Sequence, residues 1–118
     1  MVRVVTDLCD RPARLAVELL RHGARFVVVG SAARWLRSGE GTPRDLDVAV
    51  DRPDLPLLVG ALAALGVRSS AARFARAAQC RVDTSWGPLD VFVGGPPASH
   101  GVPFRLSRGQ VVLPVVAP

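Results

Sequence analysis

The segment Arg44 to Val50, RDLDVAV, constrains this chain more than any other. It alternates with the two-residue period of a strand, so Leu46, Val48 and Val50 leave one face while Asp45, Asp47 and Ala49 leave the other. The apolar face must find a core. The other face presents two carboxylates two residues apart, and same-face acids repel unless a cation relieves them. Upstream, FVVVG (26–30) is a continuous apolar run of the kind a buried strand needs. It should turn at Gly30-Ser31 into a short helix reaching about Arg37, ended by Gly39 and Gly41.

Asp10 caps a first helix with Pro12 in its first turn; Leu15, Ala16, Leu19 and Leu20 form its apolar face and Gly23 stops it. Asp54 caps a third helix over Leu55 to Leu65, apolar nearly all round and therefore expected to be well buried, with Gly66 as its terminator. Residues 67–78 carry no decisive pattern. Gln79 to Ser85 and Pro88 to Val93 suit a hairpin around Trp86-Gly87, with Leu89, Val91 and Val93 on one face and Asp90 and Phe92 on the other. That turn sets Asp83 opposite Asp90, a second like-charge pair, which makes Asp83 a spare candidate; a one-residue change in the turn removes it. Gln110 to Val116 is a last strand, which Pro114 assigns to a sheet edge. The order α-β-α-β-α followed by strands predicts a single α/β (α+β) domain over residues 1–118, built on one sheet.

Composition narrows the class. At 118 residues and 49% apolar content the chain is neither disordered nor a small disulfide-stapled scaffold. No run of about 18 apolar residues offers a membrane span, and MVRVVTDLCD lacks a signal core or transit composition, so a cytoplasmic location is expected. All fifteen cationic side chains are Arg, and Lys, Ile, Asn and Tyr are absent, as a GC-rich genome would produce. A net charge of +5 and a pI near 11.2 nevertheless favour polyanions such as nucleotides or RNA as partners. Cys9 and Cys80 lie far apart with no neighbouring His and read as reduced, structural thiols, not a zinc site.

Three features converge on one chemistry. Gly30-Ser31 sits where a strand becomes a helix, Asp45 and Asp47 leave one strand face, and Asp90 leaves the polar face of another strand. Mg²⁺ joins a few carboxylates to substrate phosphates, and two such ions roughly 3.5–4 Å apart clamp the attacking and leaving oxygens of a phosphoryl displacement. Glycine at the turn lets backbone approach a phosphate, which the helix N-terminus and the Ser31 hydroxyl can then meet. Arg34, Arg37 and Arg44 fall around the same pocket. For Arg34 and Arg37 a solvated helix face competes with a phosphate contact; Arg44 can pair with the acids or with a nucleotide. Arg68, Arg73, Arg76 and Arg81 read as a loose basic run on a solvated face, open to RNA. Trp35 and Trp86 read as packing residues, and His22 and His100 have no catalytic partner.

VVVGS (27–31), DLD (45–47) and LDVFV (89–93), in that order, resemble the signature of the DNA polymerase β-type nucleotidyltransferases. Thirteen residues separate Ser31 from Asp45, a spacing similar to the lincosamide and aminoglycoside nucleotidyltransferases and the AbiEii-type toxins. The resemblance spans roughly Arg14 to Pro118. It implies a mixed, mostly antiparallel sheet with helices on one face. It also implies two Mg²⁺ ions held by Asp45, Asp47 and Asp90, and a nucleoside triphosphate, ATP by default, bound by Gly30, Ser31, Arg34 and Arg44. The reaction implied is transfer of a nucleoside monophosphate to a hydroxyl of tRNA, a protein or a small molecule such as an antibiotic, with Asp90 helping to deprotonate the acceptor. Those relatives continue into further acceptor-binding helices, the next of which would be expected to begin near VVLPVVAP. A non-catalytic partner-binding module, an antitoxin or regulatory subunit, is the alternative. Apolar Val111, Val112, Leu113, Val115 and Val116 on an edge strand would call for a second copy or a partner protein there, unless they pair within their own sheet.

Overall fold

The computed structural model describes residues 3–5, 11–94, 102–106 and 112–116, with side chains for 11–94 and 114–116. Asp10, Cys9, His100, Gln110 and Val111 lie outside the described residues. In chain order the elements are β1 (Arg3–Val5), α1 (Arg11–Arg21), β2 (Val27–Val29), α2 (Gly30–Ser38), β3 (Leu46–Val50), α3 (Leu55–Ala64), α4 (Ala71–Arg76), β4 (Gln79–Thr84), β5 (Gly87–Val93), β6 (Val102–Leu106) and β7 (Val112–Val115). A single 3₁₀ turn, Arg52–Asp54, leads into α3.

One sheet runs β1-β6-β7-β2-β3-β5-β4. Parallel junctions (β1/β6, β7/β2, β3/β5) alternate with antiparallel ones (β6/β7, β2/β3, β5/β4), so the sheet is evenly mixed, not mostly antiparallel as expected. The parallel β3/β5 pair arises because α3, α4 and β4 intervene between β3 and β5, returning the chain in the direction in which it left.

The three-residue strand β2 is buried at Val27 and Val28, and the chain enters α2 immediately after it, one residue before the expected start. A single buried cluster joins Val28, Leu46, Val48, Val50, Leu89, Val91 and Val115 of the strands to Leu15 and Leu19 of α1, Leu36 of α2, Leu58 and Leu62 of α3 and Phe74 of α4. Every one of these strand positions lies on the same face by period and register, so the helices cover that face. The opposite face carries Asp47 and Asp90, with Val27 and Ala49 also buried on it.

Several local expectations change. Asp54 does not cap α3 through its side chain: it belongs to the 3₁₀ turn, at φ −93° and ψ −1°, and lacks the extended backbone that aims a cap. Nor is α3 buried all round. Leu55, Leu58, Ala61 and Leu62 face the core, whereas Pro56, Leu57, Gly60, Ala63 and Ala64 are exposed. Inside 67–78, Ser70 caps the six-residue α4, its hydroxyl accepting from the Arg73 N–H at 3.0 Å. The last strand is not an edge. β7 lies between β6 and β2, and the edges are β1 and β4. The Val116 N–H donates to the Val28 carbonyl at 2.8 Å, while Pro114, with no N–H to give, stands opposite Pro103 of β6. The tail therefore pairs within its own sheet, which removes the exposed strand that called for a partner there.

Two adjacent leucines of α3 test this packing. Leu58 is fully buried and Leu57 is 44% exposed. Leu58→Ala should cost roughly 2–5 kcal/mol in denaturant unfolding. Leu57→Ala should change stability by less than about 0.5 kcal/mol. Equal losses would contradict the orientation of the helix.

Candidate functional site

The site begins with strand register. β3 and β5 run parallel with Asp47 directly beside Asp90, and β4 pairs antiparallel with β5 so that Arg81 stands beside Asp90 on the other side. Asp47, Asp90 and Arg81 thus form a row across three strands. Asp45, one residue before β3 and two before Asp47, joins the row on the same face. The Arg81 guanidinium bridges the cluster: Nη2 donates to Asp45 Oδ2, and Nε lies 3.6 Å from Asp90 Oδ1.

Gly30 closes the site from the β2 side. Its φ of +67° is a conformation that L side chains rarely adopt. A Cβ there would also collide with the Asp47 carboxylate, standing 3.2 Å from Cγ and 3.3 Å from Cβ even before the Oδ2 atom is counted. Glycine is required twice over, by the sharp passage from strand into α2 and by the carboxylate packed against it. An open cleft of about 310 Å³ lies in front, lined by Ser31, Thr42, Pro43, Arg44, Asp45, Asp47 and Asp90.

The electrostatics follow from this crowding. Asp90 is only 8% exposed. Asp47 is pushed up from 3.8 to about 6, first by burial, then by the charge of Asp90, a hydrogen bond to Asp90 and the charge of Asp45, with Arg81 pulling the other way. A protonated Asp47 therefore donates a hydrogen bond to Asp90. The repulsion between the acids is relieved by a proton and a guanidinium. Among the described residues, no group of three or more His, Cys, Asp or Glu side chains already stands spaced to hold a metal ion.

Of the residues singled out from sequence, Asp45, Asp47, Asp90, Ser31 and Arg44 line one cleft, with Gly30 against its floor. Arg44 makes no ion pair with a described residue, so it is not a charge partner to the acids. Arg34 does not line the cleft; its Nε lies 3.3 Å from Glu40 Oε2. Arg37 donates to the Val116 carbonyl at 2.7 Å, tying α2 to the end of β7. Trp35 and Trp86 pack against the core, and His22 is exposed at the end of α1. Cys80 is a free thiol.

Asp83 lies outside the site, paired with Pro88 and exposed. The hairpin turns at Ser85-Trp86, one residue earlier than expected, where the Thr84 hydroxyl donates to the Gly87 carbonyl at 2.7 Å and accepts from the Trp86 N–H at 3.1 Å. Arg81 consequently takes the place opposite Asp90. Sequence reasoning passed over it as part of a solvated run, although a signal existed: of the two registers, one pairs Asp with Asp and the other Arg with Asp, and opposite charges favour the second.

No protein-family model, curated protein or solved structure matches this chain.

Asp47 makes metal-free stability depend on pH. Its folded value lies above its unfolded value, so its contribution is complete below about pH 4 and is lost as pH rises through about 6. Asp47→Asn should flatten the fall of the thermal midpoint between pH 4 and 7 and raise the midpoint at pH 7.5, read by circular dichroism with a chelator present. An unchanged slope would refute the assignment.

Proposed function

We propose that this chain is a divalent-cation-dependent nucleotidyltransferase of the DNA polymerase β type, moving a nucleoside monophosphate from a nucleoside triphosphate to an acceptor hydroxyl. The observation that carries the reading is the placement of Asp47 beside Asp90 on adjacent parallel strands, with Asp45 on the same face, in an open cleft bordered by Gly30-Ser31 at the start of α2. A structural role gives poor reason to gather three carboxylates on one sheet face, because their mutual repulsion opposes folding.

The donor set is all oxygen and suits a hard cation such as Mg²⁺ in chemistry, though Arg81 now stands where positive charge is required. Asp45, Asp47 and Asp90 would hold it. Bound magnesium supplies charge that polarises the α-phosphate and steadies the leaving pyrophosphate. The α2 N-terminus and the Ser31 hydroxyl face the phosphates, and Arg44 on the cleft wall adds a fork of donors for their oxygens. Asp90 receives the acceptor proton as the acceptor oxygen bonds to the α-phosphorus and the bond to the bridging oxygen breaks. Arg34, held by Glu40, has no part in this reading.

One observation favours the second reading, a non-catalytic partner-binding module such as an antitoxin: a guanidinium already pairs with two of the acids, Asp45 and Asp90. Transfer of label from α-labelled nucleoside triphosphates, with Mg²⁺, onto RNA, proteins and antibiotics separates the two. The first reading expects transfer to one acceptor class that falls at least about 100-fold in Asp45→Asn and Asp47→Asn. No transfer, with equal nucleotide affinity in wild type and in those variants by calorimetry, would leave the second.

A further inference from the structure

Arg81 holds a position no solvated arginine needs. Its guanidinium reaches Asp45 with one nitrogen and approaches Asp90 with another, yet its side chain remains 53% exposed. It projects from β4, an edge of the sheet. Among the described residues no further strand packs beyond β4, so the side chain can leave the acids for solvent without disturbing the backbone that carries it. Its removal would leave Asp45 and Asp90 without their guanidinium and Asp47 facing both. The arginine is a tethered cation seated where a diffusible one would bind.

Resting on the nucleotidyltransferase reading above, we propose that Arg81 is a positioning residue that reserves the acid cluster and couples cation entry to nucleotide entry. A free divalent cation must displace a guanidinium from two carboxylates and gains no new partner for it. A cation arriving with a triphosphate brings anionic oxygens that the released guanidinium can meet, because Arg81 borders the acids that the phosphates must approach. Cation and nucleotide then bind with positive coupling, and the coupling is reciprocal. A purely structural Arg81 would predict something different: loss of its ion pairs would lower stability and weaken the cluster for every ligand.

Calorimetric titration of the full chain with Mn²⁺, alone and with the α,β-methylene analogue of ATP, tests this in wild type, Arg81→Gln and Arg81→Lys. Mn²⁺ alone should bind Arg81→Gln roughly fivefold more tightly than wild type, by the strength of a partly exposed ion pair. The tightening of Mn²⁺ by the analogue, present in wild type, should shrink by a similar factor. Arg81→Lys, which keeps the charge but not the fork, should fall between them. The metal-free thermal midpoint of Arg81→Gln should drop and be recovered by Mn²⁺, so that stability and affinity move in opposite directions. Mn²⁺ affinity in Arg81→Gln equal to or weaker than wild type would overturn the proposal for Arg81. Failure of all three proteins to bind Mn²⁺, with or without the analogue, would instead overturn the nucleotidyltransferase reading.

Discussion

Three carboxylates share one face of the β3/β5 pair, and their mutual repulsion is the constraint to which the neighbourhood of the cleft is fitted. Like charges this close in a partly buried site cannot all remain ionised and unaccompanied. Two accommodations appear together: Asp47, its carboxyl pushed up to about 6, hydrogen-bonds to Asp90, and Arg81 extends from the neighbouring strand to Asp45 and Asp90. Each is local and reversible. A proton or an exposed side chain can leave without disturbing the apolar core on the other face of the sheet.

That core makes the crowding tolerable. Leu46, Val48, Leu89 and Val91 are buried against α1 to α4, and each buried aliphatic side chain contributes roughly 1.5–3 kcal/mol. Because strand side chains alternate, the residues that anchor β3 and β5 to the helices also fix where Asp47 and Asp90 point. Moving an acid out of the row would require a register slip that drags valines and leucines into water. Gly30 adds a second lock, since the start of α2 and the Asp47 carboxylate occupy the same small space. The cleft is thus placed by the core and bordered by a helix that can begin there only with glycine.

Much of this is legible in the residues. RDLDVAV places two acids on a polar face and three aliphatics on a buried one, through the period of a strand alone. FVVVGS gives a buried strand, a turn that needs glycine and a helix start to within one residue, and LDVFV puts Asp90 opposite its own apolar face. These are local properties, fixed by alternation and by the conformational freedom of glycine, and the sequence is sufficient to determine them.

What the tertiary structure decided is which strands are neighbours and in what register. Alternation says that Asp47 and Asp90 avoid the apolar faces of their strands, but only the parallel pairing of β3 with β5 sets them side by side. Only the turn at Ser85-Trp86 exchanges Asp83 for Arg81 opposite Asp90. The strands β1 and β6 carry no signal strong enough to be read from sequence, and their pairing, with that of β7, moved the C-terminal valines from the edge into the sheet. The exposed side of α3 has the same origin: its composition is apolar all round, and a single covering layer of helices gives it a core on one side only. Sequence determines the faces of each element through periodicity over a few residues. Neighbourhood and register depend on contacts between segments tens of residues apart, where a one-residue shift in a turn changes the partner of every side chain along the strand.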